Sequence, residues 1–130
     1  MKLGYLIIYV ADVAATIDFY RNAFGLATRF VHEGGDYAEL DTGSTCLAFA
    51  ASELGQTNLP DGFTQLDSLP KPAGIEIALV TDDVPGAMEH ALAAGAKMLV
   101  AATTKPWGQT VAYVQAPEGT IIELCTPVQA

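Results

Sequence analysis

The sequence predicts an α+β fold built from two copies of one βαβββ module. The order strand, helix and three strands over residues 1–50 recurs over residues 73–130, with a linker at 51–72. Each predicted helix follows an aspartate, Asp12 or Asp83, and ends at a glycine. We therefore expect a single domain of two modules, related by pattern and only slightly by residue identity.

Hydrophobic alternation predicts the strands of the first module. Over residues 3–10, one face of a strand carries Leu6, Ile8 and Val10, since successive side chains point to opposite sides. Apolar residues from Val13 then recur at helical spacing, and Gly25 marks the end of this helix. Strands are expected near 27–32, 36–41 and 45–50.

The second module repeats this order. A strand at 75–80 leads into a helix capped by Asp83 and ended by Gly95. Further strands are expected near 97–101, 109–115 and 120–125. The linker contains three prolines and no sustained periodicity, so it reads as a long connecting loop.

Composition narrows the function. The 130 residues carry a formal net charge of −9, which disfavours nucleic acid and anionic membrane as partners because both attract clustered Lys and Arg. No apolar run has the length of a membrane span. The apolar start after Met1–Lys2 resembles a signal peptide, but its direct passage into Asp12 favours a buried strand. Cys46 and Cys125 are interpreted as buried thiols of a cytoplasmic protein, with a single bridge as the alternative.

Three stretches carry a family resemblance: YLIIYVADVAATIDFYRNAFGL at 5–26, IEIALVTDDVPGAMEHALAAGAK at 75–97 and APEGTIIELCTP at 116–127. In combination they resemble the vicinal oxygen chelate superfamily of glyoxalases, bleomycin-resistance proteins, fosfomycin-modifying enzymes and extradiol dioxygenases. The resemblance implies a curved mixed sheet around a cavity with the helices outside. It also implies a homodimer.

Metal-binding members of this superfamily use His, His and Glu on the first, fifth and last strands. The matching positions here are Tyr5, Glu76 and Glu123, and a further ligand position on the fourth strand is Ala48. Only Glu123 matches, and the two histidines, His32 and His90, fall at none of these places. Iron-dependent ring cleavage is therefore disfavoured, and no cofactor is expected. A divalent metal on Glu76 and Glu123 stays open as an alternative.

Alternation also predicts which side chains line the cavity. The expected lining combines four tyrosines with three glutamates, and Trp107 is expected in a turn at the cavity mouth. The lining residues are Tyr5, Tyr9, Tyr37, Tyr113, Glu39, Glu76 and Glu123. Close carboxylates repel, so one must stay protonated or the group must hold a cation. Arg21, Arg29 and Lys97 are expected on helix or strand surfaces, so we expect that cation to be external.

Three functions fit this pattern. The first is a metal-independent module that binds a cationic or aromatic small molecule, resembling the bleomycin-resistance proteins. The second is a divalent-metal-dependent lyase or isomerase resembling glyoxalase, with Glu76 and Glu123 at the metal. The third is a metal-free enzyme in which one of these two glutamates is the catalytic base and the tyrosines are donors.

Overall fold

The computed structural model describes residues 1–128, so the last two residues of the predicted second module lie outside it. The chain divides into two compact units, the first covering Met1–Gln65 and the second beginning at Leu66. Each unit contains one four-stranded mixed sheet. The predicted α+β class with two βαβββ modules is confirmed.

The first sheet has the strand order β1-β4-β3-β2. Strands β1 and β4 run parallel, and β3 is antiparallel to both of its neighbours. The elements of this unit up to β4 are β1 (Tyr5–Val10), α1 (Val13–Phe24), β2 (Thr28–Val31), β3 (Tyr37–Leu40) and β4 (Cys46–Ala51).

Helix α1 begins and ends where the sequence predicts. The Asp12 carboxylate accepts a hydrogen bond of 3.0 Å from the backbone N–H of Ala15, and Gly25 has a left-handed φ of 69°. The helix packs on the sheet through aromatic side chains, with 4.8 Å between the ring centroids of Tyr20 and Phe49. Both rings are fully buried, so this contact is the centre of the first core.

The second sheet repeats this topology with the order β5-β8-β7-β6. Asp83 caps α3 by accepting from the N–H of Gly86 at 3.0 Å, and Gly95 ends the helix at φ 117°. The core under α3 includes Ile122 and Leu124. The elements are β5 (Glu76–Val80), α3 (Val84–Ala94), β6 (Lys97–Thr104), β7 (Thr110–Gln115) and β8 (Ile121–Cys125).

The sequence predicts that the connecting segment is a long loop, and this prediction is wrong in part. The segment contains a helix, α2 (Ser52–Asn58), and a short 3-10 helix at Leu66–Ser68. Gly55 of α2 sits so close to two rings that a Cβ there would approach Phe63 at 2.7 Å and Tyr9 at 2.9 Å. A seven-residue helix has little intrinsic stability, so this packing, which periodicity does not register, stabilises it.

Burial alternates along β3 and β5 and along parts of β1, β7 and β8, whereas β4 is buried and β2 and β6 are exposed at nearly every position. Ile8 and Val10 are buried in β1 while Ile7 is exposed, and Ala112 and Val114 are buried in β7. Leu6, which shares a strand face with Ile8 and Val10, and Ile75, which directly precedes β5, are exposed. Both cysteines are buried free thiols. No helix in residues 1–128 has the length and apolarity to cross a membrane.

Candidate functional site

Three neighbouring strands of the second unit bring together Glu76, Tyr113 and Glu123, which we term the second-sheet cluster. Glu123 on β8 lies between its register partners Ala78 on β5 and Tyr113 on β7. The Tyr113 hydroxyl donates a hydrogen bond of 2.7 Å to the Glu123 carboxylate. Glu76 precedes Ala78 by two residues and therefore shares its face. The open face of this sheet thus carries two carboxylates and one phenol.

The two carboxylates interact directly. Burial raises the pKa of Glu76, and the charge of Glu123 and a hydrogen bond with it raise this pKa further. This is the response of a carboxyl group whose neighbour carries a like charge. Among residues 1–128, no ion pair involves either carboxylate. The pair therefore favours holding one proton, or a cation from outside.

The neighbours of Glu123 respond to its charge. The hydrogen bond to Glu123 and burial raise the pKa of Tyr113 to about 12, so its hydroxyl is protonated and acts as a donor at neutral pH. Cys125 follows two residues later. Burial, the Glu123 hydrogen bond and the charges of both glutamates raise its pKa, which disfavours the thiolate and hence nucleophilic chemistry there.

The first sheet carries a related group of Arg29, Tyr37 and Glu39, which we term the first-sheet cluster. The Tyr37 hydroxyl donates to Glu39 at 2.8 Å, within a single strand. The pKa of Tyr37 is raised by burial and by this hydrogen bond. Burial and Glu39 also raise the pKa of Cys46.

Arg29 lies on an exposed strand surface, as the sequence predicts, but it also forms an ion pair with Glu39, so the cation beside this carboxylate is not external. Its Nε lies 3.7 Å from the Glu39 carboxylate. A β-bulge between Thr28 and Phe30 shifts the register of β2 against β3. Regular alternation does not hold through a bulge, and sequence reasoning therefore missed this ion pair. Turn and bulge propensity around residues 26–29 is the signal to look for.

The other predicted tyrosines of the first unit differ in exposure. Tyr9 is half-buried, its ring centroid lies 4.8 Å from that of Phe63, and its hydroxyl accepts from Asn58 at 3.3 Å. Tyr5 is 59% exposed. The connecting segment therefore covers Tyr9 and leaves the Tyr5 ring open to solvent.

Trp107 lies in the β6–β7 turn, where the sequence predicts it. The ring is 62% exposed, and its indole N–H donates to the Gln109 side chain at 2.9 Å.

The predicted site residues fall into two groups, one in each unit. The first unit holds Tyr5, Tyr9, Tyr37 and Glu39, and the second holds Glu76, Trp107, Tyr113 and Glu123. Their union in one cavity stays a prediction.

The donor set does not match a transition-metal centre of the histidine type. Within residues 1–128, no three His, Cys, Asp or Glu side chains are arranged to hold a metal ion. Glu76 and Glu123 offer two carboxylates, and the third nearby polar group is a protonated phenol. A site of this composition suits an organic cation or a hard, partly hydrated metal ion better than iron.

Solved structures share this architecture. A glyoxalase-related enzyme from Fulvimarina pelagi is 22% identical with a TM-score of 0.82, over 98% of this chain and 88% of that one. A glyoxalase/bleomycin resistance protein/dioxygenase family enzyme from Burkholderia phytofirmans PsJN is 24% identical with a TM-score of 0.76, over 99% and 100%. TioX from Micromonospora sp. ML1 is 19% identical with a TM-score of 0.70, over 97% and 98%.

At these identities the likeness establishes the fold. No curated protein matches the sequence significantly. Residues 2–124, which cover most of each unit and include both clusters, match the Glyoxalase/Bleomycin resistance protein/Dioxygenase superfamily. This match agrees with the doubled βαβββ topology and with the place of Glu123 in the last strand. The chain belongs to the Glyoxalase/Bleomycin resistance protein/Dioxygenase superfamily.

Proposed function

We propose that the open face of the second sheet binds a cationic, partly aromatic small molecule without a resident transition metal. The observation that carries this proposal is the register that puts Glu76 and Glu123 on one face of two paired strands, as two carboxylates with no ion-pair partner among residues 1–128. An ammonium group between them would relieve their repulsion and take the place of the shared proton. The net charge of −9 would raise the local concentration of such a ligand.

Tyr113 supplies the aromatic part of this site. Its hydroxyl is committed to Glu123, which fixes the ring beside the carboxylates. An aromatic ligand could stack on this ring while its ammonium group interacts with the π-face or the glutamates. Trp107 is an exposed aromatic surface in the same unit. In the first unit, Tyr5, Tyr9, Tyr37 and Glu39 stay proposed ligand-binding residues, although Arg29 already neutralises part of the charge on Glu39.

Calorimetry with 2-phenylethylamine and phenylacetate tests this proposal, since the two probes share a ring and differ in charge. We expect the amine to bind more tightly than phenylacetate, and only the affinity of the amine to depend on Glu76. Glu76→Gln should weaken the amine by about 1–3 kcal/mol, the range for a lost charge-assisted contact. Glu89→Gln on α3 removes the same charge elsewhere and should have little effect.

Two outcomes would contradict the proposal. Binding of phenylacetate in place of the amine would show that the second-sheet cluster does not set the charge preference. A thermal shift from Mn²⁺ or Ni²⁺ that exceeds the shift from the amine and disappears in Glu76→Gln would favour the divalent-metal-dependent lyase or isomerase instead.

A second candidate function is supported by the raised pKa of Glu76. A raised pKa makes a glutamate a stronger base, which favours proton abstraction from a bound substrate. The second-sheet cluster would then be a metal-free catalytic site with Glu76 as general base and Tyr113 as donor. Turnover of a bound carbon acid that is lost in Glu76→Gln, with binding retained, would establish this function.

We also propose a homodimer. Strand β1 is an edge strand, and Leu3, Tyr5, Leu6 and Ile7 at or near its start are exposed. Such an edge is suited to cover by a second copy. Light scattering should give about twice the mass of one chain, 13.6 kDa, and the mass of a single chain would contradict the dimer.

The buried free thiols support the proposed cytoplasmic location.

A further inference from the structure

A cavity in the second unit is lined in part by lysines and does not include Glu76 or Glu123 in its lining. It has a volume of about 390 Å³ and is bounded by residues 67–72 and by the neighbouring ends of β6 and β7. This volume falls within the range of small-molecule pockets in proteins. Its polar lining includes Asp67, Lys71, Lys97 and Gln115.

The charge of this cavity is unusual for such an acidic chain. Beyond residue 65 the sequence has three lysines and no arginine, and two of them, Lys71 and Lys97, line the cavity. Neither forms an ion pair with a side chain of residues 1–128. Two ammonium groups against the single carboxylate of Asp67 leave a net positive charge there. Lys97 lies on the exposed surface of β6, as its position in the sequence predicts, and it also lines this cavity.

The sheet register places two of the side chains that line this cavity, Gln115 and Lys97, on the same face as the second-sheet cluster. Gln115 follows Tyr113 by two residues on β7 and therefore points to the same side. One row of register partners crosses the whole sheet, from Glu76 through Ile121 and Gln115 to Lys97. Three strand spacings separate its ends by about 14 Å.

The open face of the second sheet is therefore bipolar. Its acidic end is Glu76 with Glu123, and its basic end is Lys97 with Lys71. Tyr113 lies between these ends on β7, which is next to β6 and two strands from β5. The Gln115 side chain is held by a hydrogen bond of 3.2 Å from its amide nitrogen to the carbonyl of Gly119, so the basic end has a fixed polar boundary.

We infer that the ligand of this face is bipolar, with an ammonium group at Glu76 and Glu123 and an oxyanion, either a carboxylate or a phosphate ester, in the lysine-lined cavity. This inference rests on the proposed function and specifies the class of ligand that the site accepts. A simple amine would use only half of the charged groups on this face. A ligand with both charges, separated by an aromatic linker, would neutralise both ends.

Matched probes test this inference by calorimetry. We expect 4-(4-aminobutyl)benzoate to bind about fivefold tighter than 4-phenylbutylamine, since an ion pair between partly exposed groups contributes this much at most. The advantage should disappear in Lys97→Gln and in Lys71→Gln. It should persist in Lys105→Gln, because Lys105 does not line the cavity. The corresponding 4-(4-aminobutyl)phenyl phosphate distinguishes a preference for phosphate from one for carboxylate.

A second measurement reports on the cavity without the amine. Phenyl phosphate and benzoate should each shift the backbone amide NMR signals of Leu99 and Gly119, which line the cavity, and Lys97→Gln should abolish the shifts. Equal affinity of 4-(4-aminobutyl)benzoate and 4-phenylbutylamine, or equal losses in Lys97→Gln and Lys105→Gln, would overturn the inference. If the anions bind here and 4-phenylbutylamine binds nowhere, the proposed amine site fails while the cavity stands. If 4-phenylbutylamine binds but phenyl phosphate and benzoate cause no shift at Leu99 or Gly119, the amine site stands and the inference about the cavity fails.

Discussion

The two sheets contain the same pair of residue types in different arrangements. In the first sheet, Tyr37 and Glu39 lie on one strand, and Glu39 faces Ala48 across the pairing with β4. In the second sheet, Tyr113 and Glu123 lie on paired strands, with the glutamate on β8. Each open face thus carries a hydrogen-bonded Tyr–Glu pair. The glutamate lies on the third strand of the first module and on the fourth strand of the second module.

The difference between the clusters lies in their third member. In the first sheet, the Nε of Arg29 lies 3.7 Å from the carboxylate of Glu39. In the second sheet, the neighbour of Glu123 is another carboxylate, that of Glu76. The first-sheet cluster is therefore neutralised by the fold itself, and the second-sheet cluster requires a proton or a ligand. The two modules supply sheets of the same topology, and the residue beside each glutamate determines which sheet is suited to bind a cation.

The largest expected effect concerns the turns that carry the last strand of each module. Gly43 and Gly119 both have left-handed φ angles, 97° and 104°, but only at Gly119 would a Cβ meet backbone atoms, 2.6 Å from Leu66. Gly119→Ala should lower the free energy of unfolding by about 3 kcal/mol or more, as backbone strain and overpacking add. Gly43→Ala should cost about 1–2 kcal/mol, from the φ angle alone. Chemical denaturation measures both, and equal losses would show that the 3-10 helix does not constrain this turn.

A smaller effect separates the two tyrosines. Tyr113→Phe removes the hydroxyl donor of Glu123 and should cost about 1–2 kcal/mol, because this carboxylate has no basic partner to compensate. Tyr37→Phe should cost about 0.5–1 kcal/mol, because Arg29 still faces Glu39. Both variants preserve the ring, so denaturation curves compare the hydrogen bonds alone. A greater loss in Tyr37→Phe would reverse the assignment of the neutralised cluster.

The sequence is sufficient to predict most of the fold because its signals are local. The caps at Asp12 and Asp83 and the stops at Gly25 and Gly95 all lie where side-chain chemistry and backbone freedom place them. Helix α2 could not be predicted in this way. It depends on the fit of Gly55 against Tyr9 and Phe63, a tertiary contact that leaves no periodicity in the chain.

The candidate site was predictable only in part. Alternation correctly placed Glu123 beside Tyr113 and Glu76 on the same face, because β5, β7 and β8 pair without bulges. Arg29 was missed because a bulge in β2 breaks the alternation. The role of Lys97 in the cavity was missed for a different reason, since much of the cavity wall comes from residues 67–72, distant from Lys97 in sequence.

Carbon NMR titration of the Glu76 side-chain carboxyl tests most directly whether the second-sheet cluster awaits a cation. In the free protein, burial and the nearby Glu123 should hold the pKa of Glu76 above the ordinary glutamate range. Saturating 2-phenylethylamine should lower it, since a bound ammonium favours the ionised form, and amine affinity should accordingly increase as the pH rises through this titration. Glu123→Gln should also lower the pKa of Glu76 by removing the like charge. An ordinary pKa for Glu76, unchanged by the amine and by Glu123→Gln, would contradict the account.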